Sequence, residues 1–217
     1  MIKVKNKKFE KSSQKWMSRQ LKDPFVIKKK NFGYKSRSAF KLIEMNKKFK
    51  FLKKNTFLLD LGSSPGSWSQ VVTKIITKGK ILAVDIKPME NIDNVNFLKG
   101  DLCDSVIYEK ICAYFDKKVD VVISDMAAST SGNKDLDSYR TGELCLRAMD
   151  LVQKILHKDG VFLSKLFMGS IFIEIHKKAN KYFKKVVKYK PLSSRKESKE
   201  IYIYCKGISK SFNFSKV

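Results

Sequence analysis

The sequence predicts one α/β domain with a doubly wound, mostly parallel sheet, helices on both faces and an antiparallel pair of strands at one edge. Between residues 57 and 163, short apolar runs alternate with helix-length segments. Near-continuous apolar strands are typical of a parallel sheet that is covered on both faces. Near the end, the runs 186–189 and 201–204 are rich in β-branched and aromatic residues, and a polar loop through Pro191 joins them as an antiparallel edge pair.

Two helices are expected before the sheet begins. The first starts at Ser12 or Ser13 and is stopped by Pro24, and the second runs from about Ser36 to Phe51 because its apolar residues recur at helical spacing. We expect residues 1–35 to form a basic, partly mobile N-terminal extension and residues 36–217 to form the single domain.

Five apolar strands are expected at residues 57–59, 81–84, 95–98, 119–123 and 161–163. Each is followed by a turn and then by a segment long enough for a helix. The stretch 157–160 is interpreted as the end of the last of these helices, with Gly160 as its C-cap.

The charge of this chain is large and unevenly distributed. The formal net charge is +25, with 46 Lys+Arg against 21 Asp+Glu. Residues 1–57 carry a net +16, residues 58–150 carry −3, and residues 151–217 carry +12. Because 41 of the 46 basic residues are lysines, a lysine-rich genome accounts for part of the excess, but it would not leave the middle acidic. The two basic flanks favour a polyanionic partner.

Composition also narrows the class of protein. The chain has four cysteines with no metal-ligand spacing, namely Cys103, Cys112, Cys145 and Cys205. We expect them to be free thiols, as in a protein from a reducing compartment. No run of 18 apolar residues predicts a membrane span, and the N-terminus lacks the apolar core of a secretory signal. We therefore expect a cytoplasmic protein or, because early acids are scarce, one from the interior of an organelle of bacterial origin.

The first strand ends near Asp60 and leads into a turn of small residues that runs from Gly62 through Pro65 to Gly66. Trp68 follows at the start of the next helix. Glycines allow the backbone to approach a ligand, and N–H groups at a helix start are donors. The spacing departs from GxGxxG, in which the second glycine accommodates a pyrophosphate, so a dinucleotide is not favoured. An ordinary strand–helix turn explains this motif equally well when it is taken alone.

Two further acids strengthen the case for a cofactor. Asp85 ends the second strand, where a carboxylate can bind ribose hydroxyls, and Asp101 follows the third strand, where it can contact an adenine edge. Each alone is more simply a solvated loop residue. A nucleoside site without a phosphate site, in the acidic third of the chain, favours S-adenosylmethionine.

Ligands of doubly wound sheets bind at the carboxyl ends of the central strands. The strand ends expected there carry Gly62, Asp125 and Lys165, and the last edge strand begins at Glu200. An aspartate and a lysine at neighbouring strand ends, beside a methyl donor, are candidate reaction groups.

The chain resembles the FtsJ/RlmE family of ribosomal RNA ribose 2′-O-methyltransferases over nearly its whole length. The similar stretches are DPFV at 23–26, GYKSRSAFKLIE at 33–44, LDLGSSPGSWSQ at 59–70, VDIKPME at 84–90, KGD at 99–101, VISDMA at 122–127, SKLF at 164–167 and the SR…KEIY run at 194–202. The resemblance implies a Rossmann-like class I S-adenosylmethionine-dependent fold, with 36–217 as the methyltransferase domain. It also implies methyl transfer to a uridine ribose in the large ribosomal subunit.

The family's Lys-Asp-Lys-Glu tetrad falls on Lys41, Asp125, Lys165 and Glu200. From the pattern alone, Lys41 reads as a solvated lysine opposite the apolar face of its helix. Lys165 is the expected base for the 2′-hydroxyl, and it must be neutral to act. Burial and the nearby Lys41 ammonium are expected to favour the neutral form of Lys165. Asp125 is expected to hold Lys165 and to line the methyl donor, and Glu200 to orient Lys41 or the ribose.

The chain departs from the family pattern at two places, Ala127–Thr130 and Met168–Phe172. Both follow strand ends on the expected substrate side. They concern substrate positioning more than catalysis.

The expected RNA-binding residues lie in the two basic flanks and are Lys28, Lys29, Lys30, Arg37, Lys41, Arg195 and Lys196. Such clusters bind phosphates without sequence choice. No metal is expected, because His157 and His176 have no ligand cluster, and a monomer is expected.

Other functions remain open at this stage. The same chemistry on transfer RNA or another RNA is the nearest, followed by a non-catalytic RNA-binding ribosome assembly factor on the same fold. A membrane-surface protein is less favoured, because the basic segments of this chain lack a long amphipathic stripe with bulky anchors. A DNA or protein methyltransferase would need other acceptor motifs, and the sequence contains none of them.

Overall fold

The computed structural model describes residues 23–209, so the helix expected from Ser12 or Ser13 lies outside the described residues. The helices are α1 (Pro24–Asn31), α2 (Ala39–Phe49), α3 (Ser67–Thr73), α4 (Ser105–Tyr114), α5 (Lys134–Ile155) and α6 (Phe172–Tyr182). The strands are β1 (Phe57–Leu61), β2 (Lys80–Asp85), β3 (Asn96–Lys99), β4 (Val119–Ser124), β5 (Leu156–Phe167), β6 (Phe183–Tyr189) and β7 (Glu200–Ile208).

The strands form one seven-stranded sheet in the order β3-β2-β1-β4-β5-β7-β6. Strands β1 to β5 pair in parallel, whereas β7 is antiparallel to both β5 and β6. The predicted parallel sheet and its antiparallel edge pair are confirmed. The strand order reverses between β1 and β4, which places the switch point beside Gly62 and Asp125.

The core has one layer on each face of the sheet. Helices α2 and α3 cover one face, with Leu42, Met45 and Trp68 buried against the strands. Helices α4, α5 and α6 cover the other face. Because both faces are covered, the central strands are mostly apolar, as the sequence pattern indicates, with buried polar residues such as Asp60 and Lys165 toward their carboxyl ends.

The interpretation of residues 157–160 as a helix end was wrong. Helix α5 ends at Ile155, and Leu156 is already extended, so these residues belong to β5. Gly160 is needed for close packing, because a Cβ atom there would lie 2.7 Å from Leu156 and 2.9 Å from the Asp120 carbonyl oxygen. A strand glycine at a close backbone approach imitates a C-cap in sequence.

Residues 23–35 are joined to the rest of the chain by several contacts, although the sequence predicts an extension that ends there. Asp23 caps α1 by accepting a hydrogen bond from the Phe25 N–H, and Tyr34 is buried in the core. The Lys35 N–H donates to the Gln70 side chain on α3. The division at residue 36 stays a prediction.

Candidate active site

The carboxyl ends of β1, β4 and β5 lie side by side, as the topology predicts. The Asp125 N–H donates to the Leu61 carbonyl oxygen across 3.0 Å, which fixes the end of β4 beside the end of β1. Lys165 lies on β5 opposite Tyr202 of β7, and Phe167 lies opposite Glu200. The sheet thus brings three of the four predicted catalytic residues to one edge.

Lys165 and Asp125 form a partly buried ion pair. The Lys165 Nζ lies 3.2 Å from the Asp125 Oδ1 and also donates a short hydrogen bond to the Asp125 carbonyl oxygen. Only 9% of Lys165 is exposed. Two acceptors from one residue hold the amine at the strand edge in a defined direction.

Lys41 and Glu200 form a second ion pair beside the first. The Lys41 Nζ lies 2.7 Å from each carboxylate oxygen of Glu200, and the Ser194 hydroxyl donates to the Glu200 Oε1 across 2.8 Å. Lys41 is therefore held against the sheet. Its position on the polar side of α2 had indicated a side chain that extends into solvent.

Tyr202 connects the two ion pairs, and the sequence analysis missed it. Its hydroxyl donates to the Asp125 Oδ1 across 3.0 Å, and its ring centre lies 6.0 Å from the Lys41 Nζ. The residue is fully buried, and burial, together with the charges of Asp125 and Glu200, raises the pKa of its hydroxyl well above the usual value. Tyr202 is consequently a hydrogen-bond donor at ordinary pH. It lies two positions after Glu200, on the same face of β7, and strand periodicity could have identified it.

A cavity of about 580 Å³ adjoins this cluster at the sheet edge. Of the predicted cofactor residues, Gly62, Asp85, Asp101 and Asp125 line it, together with apolar side chains such as Val84. Cavities of several hundred Å³ with apolar walls and a few polar groups are usual for small-molecule sites.

Two of the cavity carboxylates are held by backbone donors. Asp85 accepts hydrogen bonds from the N–H groups of Ser64 and Lys87, at 2.9 Å and 2.8 Å. Asp101 accepts one from the Cys103 N–H at 2.8 Å. Each carboxylate oxygen has a second lone pair, so both residues keep acceptor capacity for a ligand.

Gly62 has no substitute at its position. Its φ is +72°, and a Cβ atom would lie 2.7 Å from the backbone nitrogen of Met126. The glycine therefore allows the turn after β1 to pack against the segment that follows β4.

The remaining predicted cofactor residues, Asp60, Pro65, Gly66 and Trp68, do not line this cavity. The Trp68 indole is buried in the core, and its Nε1 donates to the Ser38 carbonyl oxygen. The Trp68 side chain therefore cannot contact a cofactor in this cavity. Its backbone N–H lies in the first turn of α3, where N–H groups have no partner within the helix and can donate to a ligand.

Asp60 is fully buried beneath the glycine turn. One carboxylate oxygen accepts a hydrogen bond from the Ser69 hydroxyl at 2.7 Å, and the other has no partner in the described part of the chain. Burial raises the pKa of Asp60 to about 7; the charges of Asp125 and Asp85 act in the same direction, and the Ser69 hydrogen bond opposes them. Asp60 thus links β1 to α3 through Ser69.

The predicted RNA-binding residues differ in what they contact. Lys28, Lys30 and Lys196 are exposed. Lys29, in contrast, donates to the Lys35 carbonyl oxygen at 3.1 Å.

The two predicted RNA-binding arginines share the buried carboxylate of Asp23. The Arg37 Nη1 and the Arg195 Nε lie 2.6 Å and 3.3 Å from the same Asp23 oxygen. Arg37 also donates to the Ser193 carbonyl oxygen. These guanidinium groups join the start of α1, the segment before α2 and the β6–β7 loop.

The loop between β6 and β7 is held by Glu44 of α2, a further residue that the sequence analysis did not single out. Its carboxylate accepts four hydrogen bonds, from the Tyr189 hydroxyl, the Leu192 N–H, and the N–H and hydroxyl of Ser193, at 2.7–3.0 Å. Burial alone would raise the pKa of Glu44, but these donors lower it below the usual value. Ser194, in the same loop, is thereby placed against Glu200.

The first departure from the family pattern lies in the cavity wall, since Ala127, Ala128, Ser129 and Thr130 all line it. Within residues 23–209, no group of three His, Cys, Asp or Glu side chains is arranged to hold a metal ion. No helix in this range is long and apolar enough to cross a membrane.

Known proteins with similar sequences and structures agree with this architecture. Relatives named ribosomal RNA large subunit methyltransferase E are 48% identical in Pelagibacter ubique, over 89% of this chain and 96% of the relative, and 41% identical in Acinetobacter baumannii, over 96% and 97%. A crystal structure of a ribosomal RNA methyltransferase from Plasmodium falciparum superimposes with a TM-score of 0.72 at 34% identity, over 81% of this chain and 98% of that one. The family model of the FtsJ-like methyltransferases matches residues 34–208. The chain is therefore a member of the FtsJ-like methyltransferase family.

Proposed function

We propose that this protein transfers a methyl group from S-adenosylmethionine to the 2′-hydroxyl of a uridine ribose in large-subunit (23S-type) ribosomal RNA, within the ribosomal subunit and in the cytoplasm. The observation that carries the proposal is the Lys165–Asp125 ion pair at the rim of the acid-lined cavity. The relatives named ribosomal RNA large subunit methyltransferase E support the substrate.

The cavity fits the cofactor that we propose. Its carboxylates suit a nucleoside with free hydroxyls and a positively charged sulfur, and its apolar walls suit a purine. Asp85 would accept hydrogen bonds from ribose hydroxyls, Asp101 would contact the adenine, and Asp125 would lie toward the methyl group. When bound, S-adenosylmethionine supplies an electrophilic methyl group.

The protein's own groups act on the ribose. The 2′-hydroxyl is a weak nucleophile, and Lys165 accepts its proton after giving up its own. Asp125 holds the Lys165 amine in place through one carboxylate oxygen and its backbone carbonyl oxygen. Much of the rate should come from alignment of the hydroxyl with the methyl carbon.

Glu200 and Tyr202 position the two lysines. Glu200 fixes Lys41, and Ser194 fixes one oxygen of Glu200. Tyr202 occupies one oxygen of Asp125, so this carboxylate cannot rotate freely away from Lys165. The cluster is thus preorganised before substrate binds.

The test is methyl transfer from tritiated S-adenosylmethionine to purified ribosomal subunits, free ribosomal RNA and transfer RNA. We expect label in the large subunit or its RNA, and loss of label with Lys165→Ala at nearly unchanged cofactor affinity. Lys158→Ala, which changes an exposed lysine of the same strand, is the matched control and should retain activity. Label in transfer RNA alone would overturn the proposed substrate, and full activity of Lys165→Ala would remove Lys165 from the mechanism.

A further inference from the structure

The segment after α1 carries a large aromatic side chain in solvent. Phe32 is 61% exposed, although it follows a well-formed helix whose last turn it caps by donating its N–H to the Lys28 carbonyl oxygen. Single exposed apolar residues are common and need no explanation. Phe32 differs because other aromatic rings hold it from behind.

Two rings support the Phe32 ring. Tyr34 lies nearly parallel to it, with the ring centres 6.4 Å apart at an interplanar angle of 21°, and Phe40 meets it edge to face at 6.1 Å. Tyr34 is buried and Phe40 is half-buried, so the backing of the platform belongs to the domain core. An aromatic ring that is fixed on one side and open on the other is suited to stacking by a flat ligand.

The surroundings of this ring are basic. Lys28 and Lys30 are exposed on α1, and the Lys74 Nζ lies 4.3 Å from the Tyr34 ring centre. No Asp or Glu occurs from residue 24 to residue 43, and the carboxylate of Asp23 is already paired with two arginines. We call the surface formed by Lys28, Lys30, Phe32 and Lys74, with the Tyr34 ring behind it, the Phe32 face.

The Phe32 face also lies next to the candidate catalytic cluster along the chain. Phe40, which supports the Phe32 ring, directly precedes Lys41 on α2. A strand of RNA that presents its ribose to Lys41 and Lys165 therefore has the Phe32 face within reach of its neighbouring nucleotides.

We propose that the Phe32 face is a docking surface for an unpaired stretch of the RNA substrate, with one base stacked on the Phe32 ring and adjacent phosphates near Lys28 and Lys30. The inference rests on the proposed function, because it concerns the same substrate. Basic groups interleaved with exposed aromatic rings are the combination that binds single-stranded nucleic acid, since every base has a stacking face.

An anionic membrane surface fits the same charges less well. A helix that inserts into a membrane surface presents a broad apolar face, whereas α1 offers Ile27 as its only large apolar side chain more than half exposed, and Phe32 lies beyond the helix end.

The first experiment measures affinity of the full-length protein for a short unpaired uridine-rich oligonucleotide and for a hairpin duplex of the same charge. Phe32→Ala should weaken binding of the unpaired RNA about tenfold, as expected from the loss of one stacked base. The hairpin should be nearly unaffected, and the salt dependence should not change, because no charge is removed. Val106→Ala, at an exposed apolar residue on α4, is the matched control and should bind both RNAs normally.

The second experiment reports the contact directly. Phe32→Trp should restore the affinity, and the unpaired RNA should quench the fluorescence that this variant has in excess of the wild type, whereas Val106→Trp should show no such quenching. Unchanged binding by Phe32→Ala, no quenching in Phe32→Trp, or binding of the Phe32 face to anionic phospholipid vesicles in place of RNA would each overturn the inference. Failure of the proposed function is a separate result, namely wild-type protein that methylates no ribosomal RNA.

Discussion

The candidate active site depends on how single residues share hydrogen bonds. Asp125 serves Lys165 and Tyr202 through one carboxylate oxygen, and its backbone carbonyl serves Lys165 again. The direction of the Lys165 amine is therefore determined by a neighbour that is itself fixed from a third side. Removal of any one partner should affect catalysis more than folding.

Tyr202→Phe tests this arrangement with the smallest change. The ring, which packs 5.9 Å from Trp68, is kept, and only the hydroxyl that donates to Asp125 is lost. A hydrogen bond to a charged group is worth about 1.5–3 kcal/mol, and each 1.36 kcal/mol is tenfold in rate, so we expect turnover to fall about tenfold or more. Cofactor affinity should change little, and the melting temperature should fall by a few degrees because the same hydrogen bond contributes to stability. A variant with wild-type turnover would show that Asp125 holds Lys165 without Tyr202.

Asp60 should make stability depend on pH. Its pKa is raised from 3.8 to about 7 in the folded chain, so the folded state binds the proton more tightly than the unfolded state. The contribution of Asp60 to stability is therefore fully present below about pH 4 and is lost as the pH rises toward 7, at about 1.36 kcal/mol per unit.

Asp60→Asn removes that dependence. The free energy of unfolding of the variant, relative to the wild type, should rise from pH 4 to pH 7 by a few kcal/mol, in denaturant titrations at several pH values. Comparison with the wild type at each pH cancels the other titrating groups. Parallel curves for the two proteins would contradict the raised pKa.

At the scale of elements, the loop between β6 and β7 connects α2 with the sheet. Glu44 binds residues 189–193 through four donors, Arg37 binds the Ser193 carbonyl oxygen, and Ser194 binds Glu200. Lys41 lies one helical turn before Glu44, on the same side of α2. The loop and the helix therefore position Lys41 and Glu200 together.

Glu44→Gln should loosen the loop. The amide keeps only one acceptor oxygen where four donors converge, and its NH2 group would face donors, which should cost about 1–3 kcal/mol of stability. We expect faster hydrogen exchange at Leu192 and Ser193 and a severalfold loss of turnover, with cofactor affinity unchanged. Glu109→Gln, at an exposed glutamate of α4, is the control. Unaltered exchange in the loop would show that Glu44 does not hold it.

The elements were predictable wherever local pattern decides them. Apolar runs identified β1 to β5, and strand ends identified Asp125 and Lys165, because the chemistry of a doubly wound sheet collects at one edge. The C-cap reading of Gly160 failed because a close backbone contact and a helix end both require glycine.

The long-range contacts could not be predicted from local pattern. Glu44 and the loop that it holds are about 145 positions apart, and no periodicity reports such a pair. The commitment of Arg37 and Arg195 to Asp23 is of the same kind, since the sequence shows only basic residues in basic flanks. Tyr202 was within reach, because it shares a strand face with Glu200.

At the scale of the whole molecule, charge is divided between binding and chemistry. The flanks carry net charges of +16 and +12, and the −3 middle holds the acids that line the cavity. The basic flanks should attract RNA without sequence choice, while the acidic cavity selects a cationic cofactor.

The exposed lysines should account for part of the salt dependence of RNA binding. Combined replacement of Lys28, Lys30 and Lys196 by alanine should lower the slope of log affinity against log salt by about 2–3, since each phosphate contact contributes about 0.7–0.9. The loss should be uniform across RNA sequences. Replacing Lys110, an exposed lysine of α4, should leave the slope unchanged. A slope that is insensitive to the three flank lysines would place the RNA on another surface.

The most direct test of the central claim is the identity of the methylated nucleoside. Large ribosomal subunits labelled by the purified protein with tritiated S-adenosylmethionine are digested to nucleosides and separated by chromatography. The Lys165–Asp125 ion pair beside the cavity predicts that the label elutes as a 2′-O-methylated nucleoside, which for the proposed substrate is 2′-O-methyluridine. Label in a base-methylated nucleoside would contradict the assignment of these residues to a ribose hydroxyl.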